Sequence, residues 1–209
     1  MNHFQRRDNV LYCEGVSLLS IAKQYGSPVY VYSTATITRH VKVLQQSLQG
    51  IPHHICYAVK CNSNLAILDL LKSLKCGFDA VSVGELAKVQ HIGAPMNNTI
   101  FSGVGKRDDE IETALRAKVL YICIESAAEL EAVARVAQTL NLQAPVAIRV
   151  NPDVDAQTHP YISTGLRNNK FGVPFEQVES LFKTGIKNSN LKMVGVTCHI
   201  GSQITNLAP

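Results

Sequence analysis

Ile55-Cys56-Tyr57-Ala58-Val59-Lys60-Cys61-Asn62 is the stretch on which the reading of the chain turns. It is a short apolar run bounded by Pro52 and Asn62, the pattern of a buried strand. A helical pattern follows, with Leu65, Ile67, Leu68, Leu70, Leu71 and Leu74. Lys60 is therefore expected where a strand hands over to a loop and then to a helix. An ammonium desolvated there costs free energy unless it loses its proton or finds a partner. The ordinary reading is a lysine that snorkels to solvent. The sharper one is a desolvated amine that gives up its proton and attacks an aldehyde. The rest of the chain decides between them.

From residue 55 onward a rhythm sets in. Strand-like runs recur at 55–60, 78–83, 99–102, 119–124, 145–150 and 193–199, with helical patterns between them. Ser82 with Glu85, and Ser126 with Glu129, have the spacing of capping boxes. Asp108 is placed to cap another helix, with Ile111 and Leu115 on its inner face. Leu130, Val133, Ala134 and Ala137 form an apolar stripe, and Pro174 opens a last helix with Val178, Leu181 and Phe182 turned inward. Strands alternating with helices predict βαβ units and a parallel sheet. Both a (β/α)8 barrel and a doubly wound sheet fit that rhythm. The first strand is not followed by G-x-G-x-x-G, which favours the barrel. The pattern holds about six strands by Pro209, where a closed barrel needs eight, so the expected fold is α/β with an incomplete barrel, and the 209 residues are expected to be a fragment.

Residues 9–33 read differently. Val10, Leu11 and Tyr12 precede a turn at Glu14-Gly15, a short helix over 17–25 ends at Gly26, and Val29-Tyr30-Val31-Tyr32 reads as a strand. A helix over 34–48 follows, closed by Gly50.

Composition narrows the class. Apolar residues are 46% of the chain, no run reaches membrane-spanning length, and Met-Asn-His-Phe-Gln-Arg-Arg-Asp lacks a signal-peptide core. The net charge is +4 with basic residues spread along the chain, which argues against a nucleic-acid partner. Six cysteines (Cys13, Cys56, Cys61, Cys76, Cys123 and Cys198) form no C-x-x-C pair, so buried thiols in a reducing cytoplasm are expected and no metal site is.

Polar groups gather at predicted strand ends: Lys60, Asp79 to Ser82, Glu125, Arg149 with Asn151, and His199 with Ser202. Singly each has a structural reading, as cap, ion-pair partner or satisfied histidine. Together they would converge on one rim of a barrel. The rhythm also breaks once, between Val150 and Pro174, and a long loop there would lie on the face that carries chemistry in a barrel.

At these residues the sequence resembles a known family. Tyr57-Ala-Val-Lys-Cys-Asn62, Gly77-Phe-Asp-Ala-Val-Ser-Val-Gly-Glu-Leu86, Arg149-Val-Asn-Pro-Asp-Val154, Thr158-His-Pro-Tyr-Ile-Ser-Thr-Gly165, Lys170-Phe-Gly172 and Cys198-His-Ile-Gly-Ser-Gln203 are similar to blocks of the pyridoxal-phosphate decarboxylases with an alanine-racemase-type barrel. The loop block and His-Ile-Gly-Ser-Gln most resemble the diaminopimelate decarboxylase branch. The resemblance implies pyridoxal 5'-phosphate as cofactor, linked covalently through Lys60. It implies that His199 stacks on the cofactor ring, Ser202 bonds its phosphate, Asp79 is an acid of the cofactor site, and Arg149 is a polar neighbour of the ring. It further implies decarboxylation of meso-2,6-diaminopimelate to L-lysine in a cytoplasmic homodimer with a small amino-acid substrate and neither nucleic acid nor membrane as partner. Residues 1–33 would pair with a C-terminal β-domain, and 34–209 would form the partial barrel.

Departures accompany the likeness. Gly103-Val-Gly-Lys106 replaces the family's usual Gly-Asn-Gly-Lys, and Val83 stands where glycine is also common. The Gly-rich phosphate loop, the acid that pairs the ring nitrogen and the β-domain that reaches the partner's site all lie beyond this stretch of the family pattern. Three alternatives stay open: an ornithine or arginine decarboxylase or a racemase, which the Thr158–Gly165 block argues against; a non-catalytic homologue, which would be expected to lose Lys60; and an inactive fragment.

Overall fold

The structure is a computed structural model, and it describes residues 3–155, 171–206 and 208. The chain opens with an antiparallel three-stranded sheet of β1 (Phe4–Arg7), β2 (Val10–Cys13) and β3 (Val16–Ser17). The turn at Glu14-Gly15 joins β2 to β3, so the expected turn sits inside a sheet that periodicity did not reveal. Helix α1 (Leu18–Tyr25) ends at Gly26, whose φ of 86° suits glycine. The strand expected at 29–32 does not form. That segment belongs to no strand or helix, with Tyr30 88% exposed. β-propensity without a neighbouring strand to bond is not enough. Helix α2 (Thr34–Ser47) follows, its first turn capped by the Ser33 hydroxyl accepting from Thr36 N at 3.0 Å.

The main sheet is parallel. Its strands are β4 (Cys56–Ala58), β5 (Gly77–Ala80), β6 (Thr99–Phe101), β7 (Tyr121–Ile124), β8 (Ala144–Asn151) and, after the two-residue β9 (Val173–Pro174), β10 (Leu191–Cys198). Helices α3 (Leu65–Ser73), α4 (Val83–His91), α5 (Asp108–Arg116), α6 (Ala127–Thr139) and α7 (Phe175–Lys187) connect them. The strand order is β4-β5-β6-β7-β8-β10, with β9 paired to the end of β8. That order runs one way and never reverses, which is the winding of a barrel and excludes the doubly wound alternative. It is a partial barrel of the expected class.

The two faces of the sheet differ because side chains alternate along each strand. Phe78, Ala80, Phe101, Ile122, Ile124 and Val146 are buried against the helices. They meet Leu68 and Leu71 of α3, Leu86 and Val89 of α4, Ile111 and Leu115 of α5, and Leu130, Val133 and Ala137 of α6. The residues between them, Asp79, Ile100, Tyr121, Cys123 and Arg149, face the other way and line a cavity. In β10 the pairing slips between Met193 and Gly195, a bulge that sets Thr197 opposite Arg149.

Both expected capping boxes form, each with a variation. Ser82 and Ser126 hydroxyls accept from Glu85 N and Glu129 N at 3.3 and 3.2 Å. The glutamates reach back one residue further than the motif requires, to Val81 N and Glu125 N at 2.8 and 2.7 Å. Asp108 does not cap α5. Arg107 holds the cap position, its N–H donating to Glu110 at 3.1 Å, and Asp108 pairs with Arg135 at 2.7 Å. The thiols also depart from expectation: Cys13, Cys76 and Cys123 are buried, but Cys61 and Cys198 are exposed beside Lys60 and His199. Residues 158–165 and Lys170 of the long loop lie outside the described residues.

Gly77 opens β5 where the chains pass too closely for a side chain. A Cβ there would run into the Asn98 carbonyl oxygen and sit 2.9 Å from Cys56 Sγ and from His54 Nε2. Gly77→Ala is expected to destabilise the fold by about 1–3 kcal/mol, read as a lowered urea-denaturation midpoint. An unchanged midpoint would mean that the start of β6 moves aside at no cost.

Candidate active site

Lys60 lies on a single 3-10 turn, Val59–Cys61, directly after β4, at the hand-over from strand to loop expected of it; the strand itself stops at Ala58, two residues short of the apolar run. The turn is anchored from below by Val59, which is fully buried in the cluster containing Leu68 and Phe78. Beyond it, Tyr57 donates to the Asn62 carbonyl at 3.3 Å, and Asn64 caps α3 by accepting from Ala66 N at 2.9 Å. The backbone is thus pinned on both sides of Lys60, while its side chain is exposed and not desolvated.

Lys60 borders a cavity of about 720 Å³ at the ends of the strands. Asp79, Arg149, His199 and Ser202 line it with Lys60, so the five residues to which the resemblance gives roles meet at one place; Ser102, not anticipated, joins them, and Ser82, Glu125 and Asn151 are not in the lining. Its size suits a small-molecule ligand. Tyr121, Cys123 and Thr197 form part of its wall and were not anticipated. Their signal was the two-residue alternation in Tyr121-x-Cys123, which a purely apolar reading of that strand passes over.

The carboxyl of Asp79 is the least satisfied group in this wall. Its Oδ1 is buried without a hydrogen-bond partner. Burial raises its pKa above 3.8, opposed by the Ser102 hydroxyl and then by the charges of Lys60, Arg149 and His199. Tyr121 shares the same low-dielectric wall, and burial, helped by Cys123, Cys56 and Asp79, pushes its phenol up to about 12. His199 follows β10 on the exposed rim. Partial desolvation, then Arg149 and Lys60, lower its pKa below 6.5, which favours the neutral ring. Ser202, three residues on, is exposed at the same rim.

Arg149 is held from two sides. Its Nη1 donates to Glu125 Oε1 at 3.0 Å, and its guanidinium lies 5.0 Å from the Phe171 ring centre. Glu125 Oε2 accepts from Gly172 N at 2.9 Å. The glutamate therefore fixes both the arginine of the cavity wall and the start of the segment leading into α7. Both charged side chains are largely buried, Glu125 at 5% and Arg149 at 16% exposure, so each needs the other.

Because the folded state favours the protonated form of Asp79, the stability from this group is fully present below 3.8 and is lost as pH rises through the folded value. Asp79→Asn, which removes the charge at constant shape, is expected to stabilise the protein relative to the parent at neutral pH, with the gain shrinking toward pH 3.8. Denaturation midpoints of both proteins across that range test it. A gain independent of pH would show that the carboxylate is not penalised by burial.

Residues 34–209 match a family described as "Pyridoxal-dependent decarboxylase, pyridoxal binding domain". Over 209 residues the chain is 48% identical to a diaminopimelate decarboxylase of Pseudomonas aeruginosa, covering 100% of the chain and 50% of that protein. A diaminopimelate decarboxylase of Vibrio cholerae is likewise 48% identical over 210 residues, with the same coverage. Among solved structures, diaminopimelate decarboxylase from Helicobacter pylori complexed with L-lysine superposes with a TM-score of 0.89 at 41% identity, covering 92% of this chain and 49% of that one. The chain spans about half the length of the curated relatives it matches.

Proposed function

We propose that the chain, which belongs to the pyridoxal-dependent decarboxylase family, is the cofactor-holding portion of an enzyme that decarboxylates meso-2,6-diaminopimelate to L-lysine and carbon dioxide. The observation that carries this reading is the meeting of Lys60, Asp79, Arg149, His199 and Ser202 around one cavity. The cavity fits pyridoxal phosphate on its own chemistry. It offers a primary amine for an aldehyde, a buried carboxyl oxygen without a partner, a neutral-leaning imidazole with a flat face, and a hydroxyl at the rim.

When bound, the cofactor supplies an electron sink for the bond that breaks at the substrate α-carbon. Lys60 presents Nζ for covalent attachment, and the pinned turn beneath it limits the directions from which that nitrogen can approach. His199 supplies a ring surface for stacking and carries no positive charge when neutral. Arg149, fixed by Glu125, places a permanent positive charge in the wall, where it can steady a carboxylate or the cofactor's own oxygens. Ser202, at the rim, would hold the phosphate through its hydroxyl. Asp79 keeps a hydrogen-bonding carboxyl near Lys60, and the neutral Tyr121 phenol adds a donor to the same wall.

The substrate is proposed from similarity to the decarboxylases compared above, one of them solved with L-lysine. The proposal extends to a cytoplasmic homodimer and to residues 1–33 pairing with a C-terminal β-domain. The N-terminal sheet and the exposed Tyr25, Tyr30 and Tyr32 support such a contact. Among the described residues no helix is long and apolar enough to cross a membrane.

Two measurements test this reading. Borohydride reduction of the cofactor-loaded full-length protein, followed by peptide mapping, is expected to label Lys60 and no other lysine, and Lys60→Ala is expected to remove the label and nearly all turnover. A label elsewhere would overturn the assignment. The second concerns residues 1–209 alone. The sheet order ends at β4 and β10 among the described residues, and Val194 and Val196 of β10 are 45% and 58% exposed. Parallel strand ends of this kind associate. The isolated stretch is expected to be oligomeric or poorly soluble by size-exclusion chromatography and to release no measurable carbon dioxide. A monodisperse monomer with robust turnover would show that these residues suffice.

A further inference from the structure

Beneath the cavity wall lies a buried cation that the proposed chemistry does not use. The side chain of Lys106 is 2% exposed. Its Nζ donates to the Gly103 carbonyl at 2.6 Å, to the Cys123 carbonyl at 2.6 Å and to Glu129 Oε1 at 3.0 Å, so all three of its donors are used. Phe101 closes the site, its ring centre 5.8 Å from Nζ. Gly103 and Gly105, with φ of 91° and 67°, let the loop fold back so that the lysine stem turns under the sheet.

The acceptors are not scattered. Gly103 and Cys123 both line the cavity. Glu129, the third, accepts with its other oxygen from Glu125 N at 2.7 Å. Glu125 in turn holds Arg149 at 3.0 Å and Gly172 N at 2.9 Å. A continuous chain of charge-assisted bonds therefore runs from the loop after β6, through Lys106 and Glu129, to the end of β7, and from there to the arginine of the wall. If Lys106 stabilised the fold alone, its acceptors would need no relation to the cavity.

We propose that Lys106 is a positioning residue for the cofactor cavity, holding the Glu129–Glu125 end of β7 so that Arg149 is presented to the ligand. This rests on the reading of the cavity as a pyridoxal phosphate site. The lysine is not among the residues lining the cavity, and it acts through the carboxylates. Glu125 is fixed at its backbone by Glu129 and at its side chain by Arg149, so a shift of one is carried to the other.

A double-mutant cycle separates positioning from bulk stability. Lys106→Met removes the ammonium and keeps the stem. In the full-length protein it is expected to weaken pyridoxal phosphate binding, read by equilibrium titration of cofactor absorbance, about tenfold when Arg149 is present. In an Arg149→Gln background the same change is expected to weaken binding less than about twofold. Equal losses of affinity in the two backgrounds, or no loss in either, would overturn the proposal. Should Lys106→Met not accumulate as folded protein, Glu129→Gln is read in the same cycle with the same deciding outcomes, because one amide cannot accept from both Lys106 and Glu125 N. Failure of the parent protein to bind pyridoxal phosphate would overturn the cofactor reading and this one together.

Discussion

Side-chain alternation along parallel strands is the constraint on which the rest of this structure depends. One face of each strand must be dry, because the crossover helices pack on it. The opposite face is then available for groups that no helix could cover. In β5 this puts Asp79 between the buried Phe78 and Ala80. In β7 and β8 it puts Tyr121, Cys123 and Arg149 on the cavity side while Ile122, Ile124, Val146 and Ile148 fill the core. The cavity is thus made by the same regularity that builds the hydrophobic layer.

Polar groups so placed are costly unless paired, and two buried ion pairs among the described residues show how the chain meets that cost. Lys106–Glu129 and Arg149–Glu125 join residues 23 and 24 positions apart, across neighbouring strand ends. Removing one partner of such a pair typically costs about 3–5 kcal/mol, because the other is left buried and charged. Asp79 is the exception. Its unpartnered Oδ1 and raised pKa mark a site where the fold accepts a penalty, as is common where a group is kept ready for a ligand.

The structural similarity to the Helicobacter pylori diaminopimelate decarboxylase bears on 92% of the chain, with a TM-score of 0.89 at 41% identity. The lysine turn, the wall arginine and the rim histidine come from β4, β8 and β10, so their spacing is set by sheet register and not by any local motif. The likeness extends over about half the length of those relatives.

Short-range features were legible in the sequence because their physics is local. The six parallel strands, the helices between them, the serine caps of α4 and α6 and the placing of Lys60 after a strand all follow from periods and spacings of a few residues. The resemblance in six blocks pointed to the cofactor and to five residues that line one cavity in the structure. Only the tertiary structure decided the remainder. A propensity for strand at 29–32 came to nothing without a partner, and Asp108 lost its capping role to an ion pair with Arg135. The bulge in β10 reverses which residues face the cavity, so Thr197 lines it although Met193, four residues earlier, packs on the helices. Glu125, Glu129 and Lys106 acquire their meaning from contacts with residues 17 to 47 positions away. Those contacts depend on strand register, which is a property of how neighbouring chains pair and is written in no single stretch of the sequence.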